Sequence, residues 1–205
     1  LRFIGDIHGN WELYQDLIRE CPESVQVGDF GIGFPREDPW HLQETRDAMK
    51  FGSHRYIRGN HDNPKACKTD EYWIPDGLRE SGIMYVGGAY SIDRNLRTEG
   101  FDFWSDEELS YNELARIIAT YEEYKPNVMV THDLPDAVAR ALISWYTDPT
   151  CESRTRLAFN SMFEIHKPKL WISGHWHTSQ RANILGTDFI ILNIGETFDI
   201  DLEKI

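Results

Sequence analysis

Five times in this chain a short apolar run ends in a glycine or threonine followed by aspartate, asparagine or histidine. The first is the opening stretch, Leu1-Arg2-Phe3-Ile4-Gly5-Asp6-Ile7-His8-Gly9-Asn10. Val25-Gln26-Val27 leads to Gly28-Asp29, Arg55-Tyr56-Ile57 to Gly59-Asn60-His61-Asp62, Val128-Met129-Val130 to Thr131-His132-Asp133, and Leu170-Trp171-Ile172 to Gly174-His175-Trp176-His177. In extended backbone, residues i and i+2 point to the same side. Asp6 and His8 can therefore aim at one point just past a strand end. His175 and His177 repeat that spacing, with Trp176 turned away to pack. Gly9 lets the chain turn sharply.

The pattern between these clusters predicts the fold class. Strands are expected at 1–5, 25–27, 55–57, 83–86, 89–92, 128–130, 170–172, 179–185 and 188–194. Helices are expected at 10–20, 40–51, 105–124, 135–143 and 152–166, with Ser105 and Glu108 as the capping box of the third. The early alternation of strand and helix implies a parallel α/β sheet, and the last two strands read as an antiparallel pair turning at Gly186. A mixed α/β layered fold follows. In open α/β sheets the carboxyl ends of the strands share one edge, where sites form. Residues scattered over most of the chain can therefore meet in one crevice.

At 205 residues the chain is most simply one domain, 1–205, long enough to bury a sizeable core. A formal charge of −13 argues against charge-driven binding to nucleic acid or to an acidic membrane, so neither is expected as a partner. It does not exclude an anionic substrate, because bound cations reverse the local field. Cys21, Cys67 and Cys151 form no disulfide framework and suit a reducing compartment. With no run of membrane-spanning length and no visible signal peptide, the expected location is cytoplasmic.

Of the eight histidines, His8, His61, His132, His175 and His177 lie in the strand-end clusters, and only His41, His54 and His166 lie elsewhere. Asp with His is a ligand mix for divalent transition metals such as Mn, Fe, Zn or Ni, not for calcium. The five clusters resemble, in order, the five motif blocks of the calcineurin-like metallophosphoesterases, over residues 1–177. The resemblance implies a double β-sandwich flanked by helices, with two divalent metal ions at one edge. Position by position, it implies Asp6, His8 and His177 on the first ion, Asn60, His132 and His175 on the second, and Asp29 bridging both. A bridging carboxylate offsets the repulsion of cations about 3.5–4 Å apart. The family favours manganese or iron, with zinc or nickel as alternatives.

The activity implied is hydrolysis of a phosphomonoester or phosphodiester, on a small-molecule or nucleotide substrate. A hydroxide shared by the two ions would attack, and His61 would be the general acid. Asp62 is expected to brace the loop. The protein serine/threonine phosphatase branch follows its Gly-Asp with a further Asp and Arg, then Gly, and has Gly-Asn-His-Glu. Here the loop is Phe30-Gly31-Ile32-Gly33-Phe34 and the later motif ends in Asp62. That argues against protein phosphatase activity and leaves the group orienting His61 unassigned. Arg94, Arg97 and, more weakly, Arg58 are candidates to grip phosphate, since a guanidinium fork matches its oxygens. For Arg94 and Arg97 a surface ion pair with Asp93, Glu99 or Asp102 weighs equally. Trp40, Trp104 and Trp145 are the tryptophans to look for at the crevice rim. The alternatives are a nuclease or cyclic-nucleotide phosphodiesterase of the same superfamily and, from another class, a non-catalytic binding scaffold. Eroded ligand positions would mark such a scaffold, and here all are filled.

Overall fold

A computed structural model describes residues 1–35, 38–145 and 153–205. The strands are β1 (Arg2–Ile4), β2 (Glu23–Gln26), β3 (Ser53–Tyr56), β4 (Arg79–Glu80), β5 (Ile83–Val86), β6 (Val128–Thr131), β7 (Leu170–Ser173), β8 (Gln180–Ile184), β9 (Thr187–Ile191) and β10 (Thr197–Asp199). The helices are α1 (Trp11–Ile18), α2 (Pro39–Met49), α3 (Pro64–Cys67), α4 (Tyr111–Tyr124), α5 (Asp136–Leu142) and α6 (Arg154–Ile165). Each of the first three starts on a side chain that takes up loose N–H groups: Asn10 for α1, Asp38 for α2 and Asn63 for α3. Among the described residues, no helix is long and apolar enough to cross a membrane.

The strands form two sheets. One has four strands in the order β10-β1-β2-β3, the other six in the order β4-β5-β6-β7-β9-β8. β1, β2 and β3 run parallel, as do β5, β6, β7 and β9, while β10, β4 and β8 pair antiparallel at the edges. The sheets pack face to face through one core: Phe3, Val25 and Val27 from the first meet Tyr85, Val130, Ile172 and Ile190 from the second. α1 and α2 cover the outer face of the first sheet through Trp11, Tyr14 and Leu42. α4, α5 and α6 cover the second through Tyr121, Val138 and Phe159. The result is a layered mixed α/β double β-sandwich flanked by helices. It sets the carboxyl ends of β1, β2, β3, β6 and β7 along one edge.

Three expectations are corrected. Residues 89–92 form no strand. The Gly88 N–H goes to the Arg58 carbonyl and the Ser91 N–H to the Glu107 carboxylate, so this backbone bonds to loops and side chains instead of a ladder. α4 begins after Ser110, not Ser105. The sequence offers two Ser-x-x-Glu boxes, and it is Ser110 with Glu113 that closes. Glu108, from the other box, turns inward to the Ser153 hydroxyl and the Thr155 N–H at the start of α6. The third concerns the two-residue spacing. His8 and His177 are left-handed, with φ of 47° and 46°, so Asp6/His8 and His175/His177 converge through turns and not extended chain. Glu152, where the last helix was expected to start, and Cys151 lie outside the described residues.

Candidate metal centre

The turns that follow the strands carry the site. Four non-glycine residues there are left-handed: His8, Asp29, His175 and His177 (φ 47°, 56°, 69° and 46°). Such backbone costs about 1–3 kcal/mol per residue and clusters where function requires it. The surroundings hold it in place. The Asp29 carbonyl accepts the His8 N–H at 2.8 Å, fastening the first turn to the second. Asp62 is buried and accepts the N–H groups of Phe30, Gly31, Ile32 and Gly59, tying the second turn to the third. Two glycines let charged groups approach. A Cβ on Gly59 would lie 2.0 Å from Asp29 Oδ1, and one on Gly174 2.2 Å from Asp6 Oδ1.

The side chains meet in two groups that share Asp29. In the first, Asp6, His8, Asp29 and His177 each bring a ligand-type atom within 4.8 Å of the others. Asp6 Oδ2 is 3.2 Å from His177 Nε2 and 3.8 Å from His8 Nε2, and the two Nε2 atoms are 2.9 Å apart. In the second, His132 Nε2 lies 3.2 Å from both Asp29 Oδ1 and Asn60 Oδ1. The ring of His175 stands edge-on to that of His132, with centroids 5.0 Å apart. His132 Nδ1 rests on the Val27 carbonyl at 2.8 Å, which requires the proton on Nδ1 and turns Nε2 toward the site. The His175 N–H donates to the Asp6 carboxylate at 3.1 Å, linking the groups through the backbone. The imidazole and carboxylate donors of Asp6, His8, Asp29 and His177 suit a divalent metal ion, and His132 and Asn60 border them across Asp29.

The electrostatics agree. Burial would raise the Asp29 carboxyl, but the surrounding rings of His132, His61 and His8 outweigh it and hold the acid well below the usual carboxylate range. Burial pushes His175 well below the ordinary imidazole value and His132 adds to that, so His175 presents a neutral ring. Burial likewise tends to lower His132, yet the Asp29 carboxylate raises it to about 10. Asp29 thus holds a positive charge beside itself even through a proton.

His61 stands at the junction. Its N–H donates to Asp29 Oδ1 at 2.8 Å, and its Nδ1 is 3.1 Å from His8 Nδ1. The Phe34 ring stacks on it, centroids 4.9 Å apart and planes 18° from parallel. Burial lowers the His61 pKa against the pull of Asp29. The crevice above the groups is lined by His61, Asp93, Arg97, Ile92 and Trp145.

The three candidate arginines separate. Arg97 lines the crevice with its guanidinium on Asp93, at 2.7 Å for both Nε and Nη2. Arg94 turns to Glu107 (3.2 Å) and lies 3.4 Å over the Tyr90 ring. Arg58, expected more weakly, is 2% exposed, is paired to Asp76 at 2.9 Å, and is not among the residues that line the crevice. Of the tryptophans, Trp145 lines the crevice, Trp104 is buried with its ring 5.9 Å from that of Phe34, and Trp40 is exposed on α2. Phe34, Ser91 and Glu107 carried no motif. Phe34 lies in the loop that departs from the protein phosphatase pattern, and nothing in the sequence marks Ser91 or Glu107.

Comparison with known proteins gives a consistent picture. The family model described as calcineurin-like phosphoesterase matches residues 1–179. A search of curated proteins found no match. Among solved structures, the chain is similar to a dimetal phosphatase from Danio rerio, with TM-score 0.57, 16% identity, and 95% of this chain and 87% of that one covered. It is similar to a Staphylococcus aureus protein designated a 5′-nucleotidase, in complex with α-ketoglutarate (TM-score 0.57, 12% identity), covering 94% of this chain and 48% of that one, about half its length. It is also similar to GAP50, the anchor in the inner membrane complex of Plasmodium, with TM-score 0.50, 12% identity, and 94% and 71% covered. At these identities the likeness shows the fold, which serves hydrolases and an anchor alike.

Proposed function

This chain belongs to the calcineurin-like phosphoesterase family, and from that premise we propose that it hydrolyses a small phosphomonoester or phosphodiester with two divalent metal ions. The observation that supports the reading is that Asp6, His8, Asp29 and His177 bring ligand-type atoms within 4.8 Å of one another, while His132 Nε2 lies 3.2 Å from both Asp29 Oδ1 and Asn60 Oδ1. Asp6, His8 and His177 would hold one ion, Asn60, His132 and His175 the other, and Asp29 would touch both. The mixed imidazole and carboxylate donors suit manganese, iron, zinc or nickel, and membership of the family favours manganese or iron among them. When bound, such a pair polarises water toward hydroxide near neutral pH and offsets negative charge on the phosphoryl oxygens.

The chain's own groups do the rest. His61 Nδ1 faces His8 and Asp29, which leaves Nε2 to hand a proton to the leaving oxygen. Phe34 fixes the plane of that ring by stacking, in place of a carboxylate orienter. Its lowered pKa, set by burial, makes His61 a ready donor once protonated. Arg97 can exchange Asp93 for a phosphate oxygen at the crevice wall. The thiols of Cys21 and Cys67 are free, which suits a reducing, cytoplasmic setting. The test is to strip the chain with chelator, refill it with Mn²⁺, and assay p-nitrophenyl phosphate and its bis ester. Turnover that returns only with metal supports the reading. A chain that binds no metal and cleaves neither ester is a scaffold.

A further inference from the structure

We propose that Glu107, acting through Ser91, fixes which end of the Asn60 side-chain amide faces the second metal position, an inference that rests on the two-metal reading above. Asn60 Nδ2 donates to Ser91 Oγ at 3.0 Å. The Ser91 hydroxyl donates to Glu107 Oε2 at 2.6 Å, and the Ser91 N–H to Glu107 Oε1 at 2.9 Å. All three residues are buried, with 3%, 2% and 1% exposure, so each polar atom must find its partner within the protein.

The direction of this chain is dictated by its far end. An ionised carboxylate only accepts hydrogen bonds, so the Ser91 hydroxyl must spend its one hydrogen on Glu107. Its oxygen then has only lone pairs for Asn60, which must offer its NH₂. The amide oxygen is thereby turned toward His132 Nε2, 3.2 Å away, and toward the ion that His132 would share. A flipped amide has nearly the same shape, and only the network selects between the two. The flipped form would aim N–H hydrogens at a cation.

The rest of the segment keeps Glu107 in place. The Arg94 guanidinium lies 3.2 Å from Oε1, and Arg58 Nη1 donates to the Glu107 carbonyl at 2.6 Å. Burial pushes the Glu107 carboxyl up to about 7, with the Ser91 hydrogen bonds and Arg94 pulling the other way. The stretch from Ser91 to Glu107 thus serves the metal centre from behind, and Arg94 is a brace for the acid.

The test is a calorimetric Mn²⁺ titration of the full chain at about pH 8, above the Glu107 value. Glu107→Gln keeps the shape but adds a donor, so the relay loses its direction. Ser91→Ala removes the relay, and Ser91→Thr keeps the hydroxyl. The expected result is two ions on the wild type. Glu107→Gln and Ser91→Ala should weaken one of them about 10–100-fold, leave the other within about threefold, and Ser91→Thr should restore both. Thermal melting of the metal-free chains reports folding; if Glu107→Gln does not fold, Ser91→Ala against Ser91→Thr decides. Two ions bound by the wild type and equally well by both disruptive variants would overturn the relay alone. A wild type that binds fewer than two ions would overturn the two-metal reading and the relay with it.

Discussion

The two halves of the centre are built differently. Around Asn60, His132 and His175 two of the side chains are anchored: His132 is fully buried on a backbone carbonyl and Asn60 is tied to Ser91. Around Asp6, His8 and His177 the imidazoles lean on one another, and His177 is 44% exposed. Among the described residues, neither the His8 nor the His177 ring is anchored on a backbone carbonyl. On the two-metal proposal, one half is set before an ion arrives and the other would be ordered by the ion. Preorganised donors lose less freedom on binding. The anchored half should therefore take its ion first, and the open half should give its ion up first to a chelator.

The largest effect is expected from removing what both halves share. Asp29→Asn keeps a side chain that tolerates left-handed backbone but deletes the charge between the ions. We expect turnover to fall more than about 10³-fold and metal content to drop below two per chain, measured by assay and elemental analysis. If both ions stay bound, the halves are independent.

Next comes His61→Ala, which belongs to neither half. It should retain both ions and lose about 10²–10⁴ in turnover, with a smaller loss on p-nitrophenyl phosphate, whose leaving group needs little protonation. Unchanged turnover on an alkyl ester would remove His61 from the chemistry.

The comparison is sharpened by a matched pair. His132→Ala removes a buried ring, leaves the Val27 carbonyl without its donor and should destabilise the metal-free chain by about 1–3 kcal/mol. At about 2–4 °C per kcal/mol this is readable in a thermal melt. His177→Ala, on the open side, should leave the melt within about 0.5 kcal/mol of wild type while still costing an ion. Equal shifts would erase the distinction between the halves.

The smallest effect is expected at the crevice wall. Arg97→Met should raise KM about tenfold with kcat changed less, since it removes a phosphate contact worth about 1.5–3 kcal/mol that must compete with Asp93. A pure kcat loss would place Arg97 with the reacting groups instead.

The layered fold was readable in the sequence because short apolar runs and their glycines are local signals. Convergence of the clusters followed from one rule about parallel sheets. What could not be read depends on contacts far apart in the chain. Ser105 and Ser110 both open a Ser-x-x-Glu box, and only Ser153 and Thr155, more than forty residues on, draw Glu108 inward and leave Ser110 to cap α4. Ala89-Tyr90-Ser91 reads as strand by composition, yet Glu107 takes the Ser91 N–H that a ladder would need. Arg58 sits one residue from the Gly59-Asn60 turn, but Asp76 and the Glu107 carbonyl claim it. The left-handed turns at His8 and His177 are bulky residues where glycine is usual, and nothing in their own sequence announces that neighbours will hold them.

On the proposed reading, two ions sit side by side across the Asp29 carboxylate. Crystals grown with Mn²⁺ and measured at the manganese absorption edge test it directly. Two anomalous peaks about 3.5–4 Å apart are expected, one among Asp6, His8 and His177, the other among Asn60, His132 and His175, with an Asp29 oxygen within bonding distance of each. A single peak, or two peaks with Asp29 on neither, would contradict it.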